Sequence, residues 1–158
     1  MTSSIGDPAP GFELPGTDGT DAGTRPYSLA EFRGQPVVLV FYPADNSAVC
    51  TRQLNAYTAE FDQFAEVEAV VLGLSPQSVD SHLEFSTDQG GFAFPLLADV
   101  DKEVGAAYGV LGPLGFYRRS VFVIDPDGVI RYAHRATAGL TYRSTDEIVE
   151  AVRTATAG

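Results

Sequence analysis

Six consecutive apolar residues, Val37 to Tyr42 (VVLVFY), set the strongest limit on how this chain folds. β-Branched and aromatic side chains fill a pleated surface well, and the run does not alternate with polar residues, so both faces of this strand have to be covered. Such a strand lies inside a sheet that carries packed layers above and below it. Pro43 stops the run, since proline has no N–H to offer a neighbouring strand.

The pattern then changes period. From Ser47 to about Phe64 the apolar residues Leu54, Tyr57, Phe61 and Phe64 recur every three or four positions, which predicts one amphipathic helix. Ala69 to Ser75 reads as a second buried strand, and Val79 to Asp88 as a helix carrying His82, Leu83 and Phe85. Strand, helix, strand, helix is the order of an α/β fold. Phe94 to Asp99 reads as a short strand and Lys102 to Tyr108 as a short helix closed by Gly109. Val121 to Asp125 and Val129 to Ala133, joined by Pro126-Asp127-Gly128, predict a β-hairpin that adds an antiparallel edge. The last helix spans about Thr145 to Thr154, with Ile148, Val149 and Val152 on one face and Asp146 and Glu147 in its first turn. Ahead of the core, the first thirty residues read as turns around one strand at Phe12 to Leu14, and Tyr27 to Gly34 as a helical turn capped by Ser28.

A chain of 158 residues with 44% hydrophobic content suits one domain whose core needs no disulfide or metal staple. Its net charge of -11 argues against nucleic-acid and anionic-membrane partners, which the average field repels. The start, MTSSIGDPAPGFELPG, has no basic segment leading into an apolar core, and no apolar run is long enough to cross a bilayer, so a cytoplasmic protein is expected. A single cysteine excludes an internal disulfide, a CxxC redox pair and a cysteine-rich zinc site.

That cysteine, Cys50, falls in the first turn of the predicted helix, after a strand and a turn. Unpaired backbone N–H groups and the positive end of the helix dipole favour a thiolate there, and the thiolate is the reactive form. A lone cysteine is more often a small buried hydrophobe, so the context has to decide. Pro43, Ser47 and Cys50 follow the strand with the spacing Pro-x-x-x-Ser-x-x-Cys. Five further segments recur in order: Ile5 to Leu14, Ser28 to Gly34, Phe94 to Asp99, Tyr108 to Val110 and Arg119 to Asp125. In this combination the chain resembles the peroxiredoxins, the alkyl hydroperoxide reductase and thiol-specific antioxidant superfamily, and within them the bacterioferritin-comigratory and one-cysteine branches.

The resemblance implies a thioredoxin-like α/β fold, a central mixed β-sheet flanked by helices with an N-terminal extension. It implies that Cys50 is the peroxidatic cysteine, attacking the terminal oxygen of hydrogen peroxide or an organic hydroperoxide to give a sulfenic acid. Ser47 would place its hydroxyl beside the incoming oxygen, a role that coexists with helix capping, and Pro43 would shape the loop and shield the sulfur. Negative charge moves from sulfur toward the leaving oxygen, so a fixed cation near both favours the transition state. Of the adjacent Arg118 and Arg119, the resemblance selects Arg119, three residues before the Phe of Phe-Val-Ile-Asp, and leaves Arg118 as a solvated charge.

Three positions depart from relatives. Asn55 stands where many carry a resolving cysteine, Gln53 where Glu is frequent, and Ala48-Val49 where many have Pro-Gly. The first points to a one-cysteine cycle closed by an external thiol, either a low-molecular-weight thiol or a thioredoxin- or glutaredoxin-like protein, with no cofactor. The second leaves the hydrogen-bond support of Arg119 open. Two other outcomes stay open: a peroxiredoxin-like protein diverted to a specialised oxidoreductase step, and a non-enzymatic thiol sensor or binding module. His82 is expected at a helix surface or half-buried and His134 in a loop after the hairpin; Asp45, Asp99, Asp125 and Asp127 are expected to serve turns. The Gly-rich stretch Gly105 to Gly115, with Phe116 and Tyr117, is expected near the active-site mouth or at a subunit contact, and related branches pair as homodimers through this side.

Overall fold

The computed structural model describes residues 4–136 and 142–157. Seven strands form one sheet: β1 (Glu13–Thr17), β2 (Arg25–Ser28), β3 (Val37–Phe41), β4 (Val70–Ser75), β5 (Leu96–Ala98), β6 (Ser120–Ile124) and β7 (Ile130–Arg135). Their order across the sheet is β2-β1-β5-β4-β3-β6-β7. β3, β4 and β5 run parallel, while β6 and β7 on one side and β1 and β2 on the other are antiparallel additions. Five α-helices, α1 (Ala48–Ala59), α2 (Phe61–Glu66), α3 (Val79–Asp88), α4 (Glu103–Ala107) and α5 (Thr145–Thr156), and one 3-10 turn at Leu29–Phe32 with Ser28 as its N-cap, the helical turn expected there, complete the described fold. This is the mixed-sheet, thioredoxin-like architecture expected above.

Every residue of β3 is buried, as an uninterrupted apolar run requires. Its side chains alternate between two cores. Val38, Val40 and the following Tyr42 join Leu54, Tyr57, Ile148, Val149 and Val152 beneath α1 and α5. Val37, Leu39 and Phe41 face the other way, toward Val104, Tyr108, Phe122 and Ile130. Cys50 belongs to the first core, so the same packing that orients α1 also fixes the depth of its sulfur.

Two boundaries differ from the sequence reading. The single helix expected from Ser47 to Phe64 is two helices, because Glu60 leaves helical geometry at φ -106 and ψ 19 and its N–H turns back to Ala56 and Thr58 carbonyls. Apolar periodicity carries through such a break, since both pieces pack on the same core. The N-terminal region forms two paired strands where one was expected. β2 escaped because Arg25-Pro26-Tyr27-Ser28 has no apolar run; it is an edge strand, where a proline without an N–H is tolerated. Gly109 does close α4, with a positive φ of 70, and the hairpin turns at the predicted Pro126-Asp127-Gly128.

Candidate functional site

The chain leaves β3 at Phe41 and reaches α1 through Tyr42 to Ser47. Asn46 takes a left-handed backbone with φ 65, a conformation that asparagine tolerates better than most residues. Ser47 returns to extended geometry and caps α1, its Oγ accepting from the Cys50 N–H at 3.3 Å. Such a bond leaves the serine hydroxyl hydrogen able to donate to a third group. Cys50 is therefore in the first turn, and its side chain has no exposed surface.

The sheet supplies the cation. β6 pairs antiparallel with β3, and the register sets Ser120 opposite Phe41. Arg119, one residue earlier in sequence, thus arrives where the chain turns into α1. Its Nη2 donates to Cys50 Sγ at 3.2 Å and its Nη1 to Gln53 Oε1 at 2.6 Å. The guanidinium is buried. Gln53, left open by the sequence, is thus the arginine's support, and it is held in turn: Gln53 Nε2 donates to Tyr57 Oη at 3.2 Å, and Tyr57 Oη to the Arg143 carbonyl at 2.5 Å. Gln53 and Tyr57 lie one turn apart on the face of α1 that carries Cys50. Burial holds the Tyr57 phenol well above its ordinary range, so it stays a neutral donor, although the Gln53 hydrogen bond works the other way.

A neutral glutamine orients Arg119 without cancelling its charge. Glutamate at the same place would give a closed ion pair, whereas here the sulfur faces the positive group directly. Pro43 sits at the start of the loop, its carbonyl accepting from Gln77 Nε2 at 3.5 Å. The structure thus brings together three sequence-selected residues, Ser47, Cys50 and Arg119, with Pro43 at the loop entrance.

Arg118 departs from the sequence reading as a solvated charge: it is partly buried, and its Nε donates to the Ala136 carbonyl at 3.0 Å. It helps wall a cavity of about 390 Å³ beside Arg119, together with Pro113, Leu114, Phe116 and Tyr117. Larger cavities lie elsewhere, one between Gly11–Pro15 and α4 and one by the hairpin turn and the end of α5, away from the sulfur. The expectation that the segment ending in Phe116 and Tyr117 lies by the site mouth agrees with this placement.

Both histidines also sit differently than expected. His82 is fully buried within α3, with Nδ1 at 2.7 Å from Asp45 Oδ2 and Nε2 at 2.9 Å from the Leu97 carbonyl. His134 is in β7, with Nδ1 at 3.2 Å from Arg143 Nη2, and partial burial followed by the Arg143 charge lowers its pKa. Asp45 is more than a turn residue, since it pairs with His82 at 2% side-chain exposure. The partners are 37 residues apart, and no sequence period links a loop to the buried face of a later helix. A histidine followed by Leu83 and Phe85 was the one available hint. Asp99 caps α4 through the Val104 and Gly105 N–H groups and accepts from the Tyr117 hydroxyl. Asp125 accepts from the Asp127 and Val129 N–H groups, the turn role expected of it.

Among the described residues, no group of three or more His, Cys, Asp or Glu is placed to hold a metal ion, and no helix is long and apolar enough to cross a membrane.

Comparison with known proteins agrees with this geometry. A Thermoplasma volcanium protein named peroxiredoxin is 32% identical over 159 residues, covering 97% of this chain and 75% of its own. A Mycobacterium tuberculosis protein also named as a peroxiredoxin is 37% identical over 142 residues, covering 84% of this chain and 87% of its own. Among solved structures, Mycobacterium tuberculosis AhpC superposes with a TM-score of 0.87 at 28% identity, covering 98% of both chains. The reduced Plasmodium vivax 2-Cys peroxiredoxin gives 0.86 at 29% identity, covering 95% of this chain and 94% of its own. The sequence pattern of the AhpC/TSA family matches residues 5–133, and with these relatives it establishes that the chain belongs to that family, the peroxiredoxins.

Proposed function

We propose that the chain is a thiol-dependent peroxidase that works through Cys50 in a one-cysteine cycle. The observation that carries this reading is the 3.2 Å contact from Arg119 Nη2 to Cys50 Sγ, at a helix start capped by Ser47. Thiolate sulfur attacks the terminal oxygen of ROOH, the S–O bond forms as O–O breaks, and the electron pair leaves on RO⁻, which takes a proton to become ROH. Arg119 spans the sulfur and the departing oxygen, where charge is moving. Ser47 donates its hydroxyl hydrogen to the peroxide, and Pro43 shapes the loop that covers it.

The resulting Cys50 sulfenic acid condenses with an external thiol, releasing water and leaving a mixed disulfide. A second thiol frees Cys50 and departs as the oxidised reductant. An external reductant is supported by the presence of one cysteine in the chain and by Asn55, whose Nδ2 bonds Gln89 Oε1 at 3.0 Å on the intact α1. The reading extends to a homodimer through the side bearing Leu114 and Phe116, which are 84% and 68% exposed.

Stopped-flow oxidation of the reduced protein by hydrogen peroxide and an organic hydroperoxide, with Cys50→Ser as control and a panel of thiol reductants, tests this. Fast oxidation with many turnovers is expected. Oxidation no faster than that of a free thiol overturns the peroxidase reading, and one oxidation without turnover points to a sensor.

A further inference from the structure

The loop that delivers Cys50 is anchored to the rest of the fold through one buried carboxylate. Asp45 Oδ2 lies 2.7 Å from His82 Nδ1 and accepts from Ser81 Oγ at 2.7 Å, while Oδ1 accepts from Tyr42 Oη at 2.7 Å. The Asp45 N–H donates to Gln77 Oε1 at 3.1 Å, an atom already held by Ser75 Oγ at 2.6 Å, and Gln77 Nε2 reaches the Pro43 carbonyl. His82 Nε2 faces the Leu97 carbonyl of β5 at 2.9 Å. Both ring nitrogens of His82 therefore lie within hydrogen-bond reach of an oxygen, and the ring bridges the Asp45 side chain of the loop to the backbone of β5.

These bonds tie the loop from Pro43 to Asp45 to β4, α3 and β5. α1 and Cys50 follow directly after Asn46, whose left-handed backbone turns the chain from this loop into the helix. A buried hydrogen bond between side chains contributes little net stability, but it is directional, and losing one partner leaves the other polar group unmet. Its use in a core of this kind is to fix one geometry. Burial, followed by the Asp45 charge, keeps the Tyr42 phenol far above its ordinary range, so it remains a donor to that carboxylate.

We propose that His82 and Asp45 are positioning residues: their buried hydrogen bond latches the loop so that Ser47, Cys50 and Arg119 are held in register, and its release opens the loop and exposes the sulfur. The proposal rests on Cys50 being the reacting sulfur, but the opening of the loop can be read independently of peroxide. With Cys50 fully buried, the latch governs both reactivity and access, and in opposite directions. Loosening it misaligns the peroxide site while admitting larger reagents.

The test uses the reduced full-length chain with His82→Gln, Asp45→Asn and, as a milder cut that removes a second donor from the same Asp45 oxygen, Ser81→Ala. Amide exchange of the peptide covering residues 42–51, alkylation of Cys50 by iodoacetamide and oxidation of Cys50 by hydrogen peroxide are measured side by side. In a folded His82→Gln or Asp45→Asn protein, exchange in that peptide is expected to rise about tenfold while β3 and α5 keep theirs. Alkylation rises, oxidation by peroxide falls, and the ratio of the two rates shifts about tenfold or more. A residue that merely fills the core would lower the melting temperature and leave that ratio unchanged; this result in a folded variant overturns the proposal. Should neither variant of the pair fold, Ser81→Ala decides, with a shift of about threefold expected in exchange and in the ratio, and no shift overturning it. If the unaltered protein reacts slowly with every peroxide yet exchange and alkylation respond as stated, the peroxidase reading falls and the latch stands.

Discussion

Arg119 donates to the sulfur of Cys50 across 69 residues of sequence, from the position just ahead of the strand antiparallel to the one that leads into the cysteine. That contact joins the two halves of the site.

Arg119→Ala should lower the rate of Cys50 oxidation by hydrogen peroxide about 10²–10³-fold, the usual consequence of removing a fixed donor from developing negative charge. Arg118→Ala should change it by less than about fivefold, since Arg118 bonds the Ala136 carbonyl and not the sulfur. Stopped-flow rates for both variants check the choice between adjacent arginines, and a reversed order would show that the wrong one was selected.

Gln53 acts through Arg119, so Gln53→Ala should cost about tenfold in the same rate by letting the guanidinium turn away. Gln53→Glu restores an acceptor of the same reach and should remain within about threefold of the unaltered protein. A Glu variant as slow as the Ala variant would show that the neutrality of Gln53 matters more than its geometry.

Ser47 carries two tasks that two substitutions separate. Ser47→Ala removes both cap and hydroxyl, with an expected loss of about 1 kcal/mol in unfolding free energy, whereas Ser47→Gly loses only a few tenths because glycine is accepted at an N-cap. Both should slow oxidation by peroxide to a similar extent, about tenfold. Denaturant titration beside the kinetics checks this, and a rate that tracked stability would leave Ser47 with the cap alone.

Asp125 gives the clearest pH dependence. Burial acts to raise its pKa, but the Val129 N–H, Arg131 and the Asp127 N–H together hold it below the ordinary aspartate value. Because the folded value is the lower one, the stabilisation is complete above the unfolded pKa, near 4, and disappears as pH falls through the folded value. Asp125→Asn should therefore cost about 1–2 kcal/mol at neutral pH. The gap to the unaltered protein should narrow steadily below about pH 4 in urea titrations, and a gap independent of pH would assign the loss to packing.

Asn55→Cys would introduce a thiol where many relatives carry one. Positions five apart on a helix are separated by about 7.5 Å along its axis, too far for disulfide geometry without backbone movement. A disulfide with Cys50 should form only as fast as α1 unwinds, so mass spectrometry under a peroxide pulse should show sulfenic acid first. Immediate disulfide formation would mean that the first turns of α1 are already open.

Much of this was legible in the sequence. The run from Val37 to Tyr42 is buried on both faces because no polar residue interrupts it, Asp127-Gly128 lies in the turn between β6 and β7, and Ser47 caps α1 three residues before Cys50. Local chemistry is sufficient for these features: a strand's side-chain period, the φ that a turn demands, and a cap whose partner is three residues away.

The tertiary structure decided what these elements meet. The register of β3 against β6 carried Arg119 to the sulfur, and α1 turned Gln53 into the support of that arginine. Packing of α3 on the sheet sank His82 into the core against Asp45, although neither neighbourhood announces the other. These are contacts across 37 to 69 residues of chain. They depend on the sum of many packing choices, and no spacing within a single segment records that sum.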